Sequence, residues 1–153
     1  MFYYQDEELL IRDMEAADAQ VFDDEYTAQG WHPDIEFYLM RIREAAEGKC
    51  VALTAEYQGH PAGSLYLYMN AKEGPFKEKG WPVIVDFSVL MKYQKKSIGN
   101  RLMDVAEQIA AQHADNVCLG VGLSREYGTA QRMYVKRGYI PDGSGVWYQD
   151  KRC

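Results

Sequence analysis

The chain has few of the residues that build metal and disulfide sites. Its three histidines (His32, His60, His113) and three cysteines (Cys50, Cys118, Cys153) lie far apart, and no Cys-x-x-Cys occurs. A zinc cluster of ordinary ligand spacing and a disulfide framework are therefore excluded, and no metal is expected. Positive charge is in deficit, with 17 Lys and Arg against 23 Asp and Glu and a formal net charge of −6. Nucleic-acid binding relies on Lys and Arg neutralising phosphates, so no nucleic-acid partner is expected and cationic partners are favoured. No apolar run reaches the ~20 residues of a membrane span. The opening Met-Phe-Tyr-Tyr-Gln-Asp-Glu-Glu lacks the basic and apolar regions of a signal peptide, so a cytoplasmic location and no membrane partner are expected. Repeats, linkers and low-complexity segments are also missing; 153 residues with 47% hydrophobic content suit one domain over residues 1–153.

What is present reads as strands and helices in turn. Leu9-Leu10-Ile11-Arg12 is a short strand, and a helix starting at Asp13 covers Ala16 to Phe22 and ends at the acidic Asp23-Asp24-Glu25. Gln29-Gly30-Trp31-His32-Pro33 breaks the pattern. Pro33 then opens a second helix with apolar Ile35, Tyr38, Leu39 and Ile42, stopped by Gly48. Cys50 to Glu56 and Pro61 to Tyr68 are strands joined by a hairpin signal, Tyr57-Gln58-Gly59-His60. In the second strand Tyr66 and Tyr68 share a face, where they either wall a pocket or pack across the sheet. Asn70 to Trp81 is a loop, Asn116 to Leu123 a further strand, and Val146-Trp147-Tyr148 a last one, with Lys151-Arg152-Cys153 frayed.

The stretch Gln94-Lys95-Lys96-Ser97-Ile98-Gly99-Asn100-Arg101-Leu102 is the most informative. It follows the apolar run from Val83 to Met91 and opens a helix whose apolar stripe is Ile98, Leu102, Val105, Ala106, Ile109 and Ala110. A strand-to-helix turn with small residues at Ser97 and Gly99 lets the backbone come close to a ligand, and the amides of a helix N-terminus form an anion site. Lys95 and Lys96 add positive charge, which suggests a pyrophosphate. If position 97 needs a positive φ, Ser97 is strained there; otherwise its hydroxyl can meet a phosphate or cap the helix. Within the preceding strand, Asp86 and Ser88 interrupt the apolar run. A carboxylate there is costly unless it is hydrogen-bonded, paired or open to a cleft, so Asp86 is a candidate general base, with a structural Asp as the alternative.

Thr129 to Tyr139 reads as a short helix with Ala130, Met133 and Tyr134 on one face, Lys136 and Arg137 in its last turn and Gly138 as the C′ residue. Cys118 lies in an apolar strand without a neighbouring His or Lys to form a thiolate, so an acyl-cysteine route is not expected.

Gln94-x-x-Ser97-x-Gly99 resembles the acyl-coenzyme A signature (Gln/Arg)-x-x-Gly-x-(Gly/Ala) of the GNAT superfamily of N-acetyltransferases. Ala130, Tyr134, Gly138 and Tyr139 match that family's Ala-x-x-x-Tyr-x-x-x-Gly-(Phe/Tyr). Two positions depart from the family: Ser97 where Gly is usual, and Tyr127 where Asn is frequent. The resemblance implies a mixed α/β fold, a twisted and largely antiparallel sheet of about seven strands flanked by about four helices. It implies acetyl-coenzyme A as donor, its pyrophosphate at Gln94, Lys95, Lys96, Ser97, Ile98, Gly99 and Asn100, and its pantetheine and thioester carbonyl at the backbone of Phe87, Ser88 and Val89. Tyr134 would protonate the leaving thiolate, and Asp86 stands where the family often carries a carboxylate. The segment between the first two helices would line the acceptor, which makes Trp31 and His32 candidate substrate contacts beside Tyr66 and Tyr68. The expected activity is acetyl transfer to a primary amine, a small molecule favoured, by direct attack in a ternary complex. The alternative is a non-catalytic acyl-coenzyme A sensor or regulatory module on the same fold. A homodimer is compatible with either.

Overall fold

The computed structural model describes residues 1–31, 33–70, 80–119, 128–140, 147–148 and 151–152. The chain opens on β1 (Phe2–Gln5) and β2 (Leu9–Asp13), followed by α1 (Ala16–Ala28) and α2 (Ile35–Ala46). A hairpin of β3 (Cys50–Tyr57) and β4 (His60–Tyr68) leads to β5 (Val83–Val89), α3 (Ile98–Ala111), β6 (Cys118–Leu119) and α4 (Gly128–Lys136). The last strands are β7 (Trp147–Tyr148) and β8 (Lys151–Arg152). Six strands form one sheet in the order β1-β2-β3-β4-β5-β6, antiparallel except for the parallel β5–β6 pair, and β7 and β8 form a separate antiparallel pair.

Local chemistry explains most boundaries. The β3–β4 hairpin turns on Gln58 and Gly59, whose φ of 51° and 84° are the paired positive values that match the twist of two strands. Helix α1 begins at a capping box in which Glu15 and Asp18 each bond the other's backbone amide, so Glu15 rather than Asp13 is the first cap. It also runs past Asp23-Asp24-Glu25. Aspartate in a helix interior costs only a few tenths of a kcal/mol, while Phe22 and Tyr26, one turn apart, are both buried. Asp34 caps α2 by accepting from the Glu36 amide at 3.0 Å.

Alternation along β4 assigns the two faces of the sheet. Leu65 and Leu67 pack with Ile98, Leu102, Met103 and Ala106 of α3. Tyr66 and Tyr68 pack on the other side with Phe22, Tyr26 and Tyr38 of α1 and α2. The buried Arg12–Asp18 pair (2.7 and 2.8 Å), to which Thr54 donates at 3.1 Å, ties α1 to β2 and β3.

Several expectations are corrected. Strand β1 was not foreseen, because Phe2-Tyr3-Tyr4-Gln5 is too short to show alternation. The described strands number six in the main sheet plus the separate pair, against about seven in one sheet. Lys151–Arg152 pairs with Trp147–Tyr148 instead of fraying. Residues 71–79 of the expected loop, 120–123 of the expected strand, the turn at 141–145 and His32 lie outside the described residues. Among the described residues no helix is long and apolar enough to cross a membrane, and no group of three His, Cys, Asp or Glu could hold a metal ion.

Candidate functional site

Strand β5 feeds a single 3₁₀ turn, Met91–Tyr93, and then the segment that opens α3. Gln94 folds back so that its Nε2 donates to the Val89 carbonyl at 3.2 Å. Lys95 and Ser97 both hold left-handed backbone, with φ of 65° and 66°. For an L residue this conformation costs about 1–2 kcal/mol, and Ser97 recovers none of it through its hydroxyl, which makes no capping bond. The positive φ is therefore required and the capping role is not taken. The Ser97 carbonyl accepts the Arg101 amide at 3.1 Å, so the amides from Ser97 to Asn100 have no intrahelical carbonyl to meet. Ile98 anchors this turn in the core while Lys95, Lys96 and Ser97 are exposed. The Lys96 ammonium lies 5.3 Å from the Tyr57 ring centre. Unpartnered amides beside two ammonium groups fit a pyrophosphate by charge and by donor chemistry. Gly99 also packs against β5: a Cβ there would stand 3.1 Å from Phe87 Cζ, so the small residue admits the Phe87 ring.

Asp86 lies at an irregularity of β5. Ser88 faces Ser64 and Val85 faces Tyr66, which leaves Asp86 and Phe87 together opposite Leu65. This is a β-bulge, and Asp86 takes a φ of 52° there. The bulge breaks the period of two and turns the carboxylate out of the apolar run, so its side chain is 45% exposed rather than desolvated. Arg41 of α2 pairs with Asp86 Oδ2 through Nη2 and donates to the Tyr68 hydroxyl through Nη1 at 2.6 Å. Tyr68 in turn donates to Glu44 at 2.9 Å. Tyr66 and Tyr68 are buried beneath α2, so they pack across the sheet and do not wall an open pocket. Nearby, burial raises the Tyr38 phenol pKa, and the charges of Tyr26, Asp23 and Asp86 add to that rise.

The last turn of α1 is bound to the end of β5 by contacts that local patterns did not signal. Tyr26 and Ser88 share a hydrogen bond of 2.7 Å, Gln29 Oε1 accepts from the Met91 amide at 2.9 Å, and Lys92 pairs with Glu25 at 2.7 Å. Trp31, 52% exposed, stacks on Tyr26 with ring centres 5.0 Å apart.

Tyr134 is buried against α3 with its ring 5.9 Å from that of Tyr139, and burial pushes its phenol pKa up. The α4 C-terminus closes on Gly138 at a φ of 94°. Arg137, legible in the sequence only as a helix-end charge, donates to Asp104 at 2.6 Å, to Glu107 at 2.7 and 3.0 Å, and to Asn100 Oδ1 at 3.1 Å. Tyr139 adds a bond to Glu107 at 2.9 Å. Tyr134 is thereby carried on a helix fastened to the first turns of α3. Cys118 donates to the Pro82 carbonyl at 3.5 Å, and burial pushes its thiol up to about 11, a poor setting for a nucleophile.

Residues 11–139 match the profile of the acetyltransferase (GNAT) family, and the chain belongs to that family. Among solved structures, an aminoglycoside 6′-N-acetyltransferase from Acinetobacter haemolyticus is similar with a TM-score of 0.70 at 15% identity, over 92% of this chain and 97% of that one. The protein yncA of Salmonella typhimurium, solved with its cofactor acetyl-coenzyme A, has a TM-score of 0.68 at 15% identity over 87% and 80%. A ribosomal-protein-alanine N-acetyltransferase from Brucella melitensis biovar Abortus has 0.66 at 19% identity over 92% and 98%. At these identities the likeness is one of fold. No curated protein matches the chain.

Proposed function

We propose that the chain is one domain over residues 1–153 that transfers an acetyl group from acetyl-coenzyme A to a primary amine, by direct attack in a ternary complex. The reading is carried by the turn from Gln94 to Asn100, where left-handed backbone at Lys95 and Ser97 leads into the first amides of α3, which have no intrahelical carbonyl partners, beside two exposed lysines. Gln94, Lys95, Lys96, Ser97, Ile98, Gly99 and Asn100 hold the pyrophosphate, and the backbone of Phe87, Ser88 and Val89 holds the pantetheine and the thioester carbonyl. The bound thioester supplies an activated acyl carbon. The amine nitrogen forms a bond to that carbon as the carbon–sulfur bond breaks, so one proton must leave nitrogen and one must reach sulfur. Asp86, open to solvent on its bulge, takes the first directly or through water. Tyr134, kept protonated by burial, gives the second. Trp31, exposed beside the end of β5, and His32 border the acceptor. The net charge of −6 favours a small cationic amine.

The test is a calorimetric titration of acetyl-coenzyme A into the protein and into the Lys95→Glu/Lys96→Glu variant, followed by turnover with a panel of primary amines. Micromolar binding lost in the variant, together with acetylation of a panel amine, supports the reading. Binding without turnover of any amine transfers it to the sensor alternative. No binding by the unaltered chain refutes both.

A further inference from the structure

Arg41 puts a guanidinium among three aromatic rings. Its guanidinium carbon lies 4.9, 5.3 and 5.1 Å from the ring centres of Phe37, Tyr66 and Tyr68, and its side chain is only 15% exposed. Its Nε is buried with no hydrogen-bond partner among the described residues. Its partner Asp86 is open to solvent, and an ion pair screened on one side adds little to stability, so stability alone does not account for an arginine here. What the arginine does that leucine would not is reach Asp86. An exposed aspartate on a bulge is free to turn among its rotamers. Arg41 takes Oδ2, while Oδ1 has no hydrogen-bond partner among the described residues.

We propose that Arg41 is the positioning residue of the acceptor half of the site: it clamps Asp86 Oδ2 so that Oδ1 is presented, already oriented, to the ammonium of the acceptor. This rests on the assignment of Asp86 to the amine under the proposed function, and it specifies the acceptor further. The acceptor arrives as an ammonium, the form a carboxylate oxygen recognises, and releases one proton to water to free its lone pair; the proton it loses as the new bond forms is the one Asp86 takes, and an arylamine that is neutral at pH 7 is a poor substrate. The planar fork of arginine matters, because one Nη binds Tyr68 while the other holds Asp86.

The experiment is a double-mutant cycle of Arg41→Gln and Asp86→Asn with Arg41→Lys alongside, read as kcat/KM for the best alkylamine of the panel and as KM for acetyl-coenzyme A. Misplacing one reacting group costs on the order of 10²-fold, so Arg41→Gln is expected to lower kcat/KM for the amine by about that factor. The KM for acetyl-coenzyme A should stay within about twofold, the sign of an effect confined to one substrate. The double variant should be no worse than Asp86→Asn alone, and Arg41→Lys should resemble Arg41→Gln while keeping the charge. Full activity in Arg41→Lys, or losses that multiply in the double variant, would overturn the positioning role while leaving the acetyltransferase reading intact. No turnover by the unaltered protein would remove that reading, and this inference with it. If Arg41→Gln fails to fold, Arg41→Lys decides.

Discussion

Tyr26 and Ser88 share a 2.7 Å hydrogen bond across 62 positions of sequence, and the same Tyr26 ring carries the indole of Trp31. The bond joins the helix that leads to the proposed acceptor loop with the strand proposed to hold the thioester. Tyr26→Phe keeps the buried ring and removes only the link. It should cost about 1 kcal/mol of stability, a fall in Tm of roughly 2–4 °C for a chain of this length. It should also raise KM for the amine more than KM for acetyl-coenzyme A. Thermal denaturation and steady-state kinetics check the two halves separately, and an unchanged ratio of the two KM values would show that the link is structural only.

Ser97 holds a φ of 66° without a compensating side-chain bond. Glycine adopts that conformation freely, although it also gains freedom in the unfolded chain. Ser97→Gly should therefore raise stability by about 0.5–1 kcal/mol, the strain relieved less the unfolded-state entropy. Affinity for acetyl-coenzyme A should be equal or better. Denaturant titration and calorimetry measure the two; a loss of stability would mean that the serine hydroxyl does something the hydrogen bonds of the turn do not reveal.

Tyr134→Phe removes the proposed acid and keeps the buried ring. General acid catalysis contributes typically about 10²–10⁴-fold, so kcat should fall by at least the lower figure while coenzyme affinity holds. The sign of the pH effect follows from burial: a phenol pKa raised above 10.0 keeps the acid protonated at neutral pH and moves its falling limb to the alkaline side of that value. The limb should be present in the unaltered enzyme and absent in the variant. Equal turnover of the two across the pH range would remove Tyr134 from the mechanism.

Cys118 yields a linkage prediction. Its thiol is raised from 9.0 to about 11 in the folded chain, so the unfolded chain loses that proton first as pH rises. Its contribution to stability is complete below pH 9.0 and is lost between 9.0 and about 11. In a Cys50→Ala/Cys153→Ala background, alkylation by iodoacetamide should show a midpoint near 11 in native buffer and near 9 in denaturant. Coincident midpoints would contradict the burial.

How far the sequence was legible depends on whether each feature is local. Tyr134 and Gly138 follow from α4 and its cap and the apolar stripe from α3 alone, so spacing along the chain is sufficient. The bulge at Asp86 depends on which residues of β4 lie opposite, and nothing in Val83 to Val89 marks where that register slips. Alternation put Tyr66 and Tyr68 on one face but could not say that α1 and α2 cover it. Arg41 reads as a charge beside the apolar stripe of α2, because its partners Tyr68 and Asp86 come from strands far along the chain. Gly99 stands out in the sequence for its size, and the Phe87 ring that a Cβ there would meet comes from another element. The acidic Asp23-Asp24-Glu25 reads as the end of α1, although the apolar spacing of Phe22 and Tyr26 continues through it.

Arg137 fastens α4 to Asn100, Asp104 and Glu107 of α3. The two family signatures, separate in sequence, are therefore one mechanical piece. A chimera that joined this α3 to an α4 without the arginine would take the shared cation from Asp104 and Glu107, leaving Asp104 only Arg101 at 3.5 Å, and the tyrosine would ride on a loosened helix. Recombination among relatives thus has a natural grain: crossovers before β5 or after Tyr139 respect it, and one between α3 and α4 cuts across it. The helix pair moves as one piece, and an engineered exchange should carry it whole.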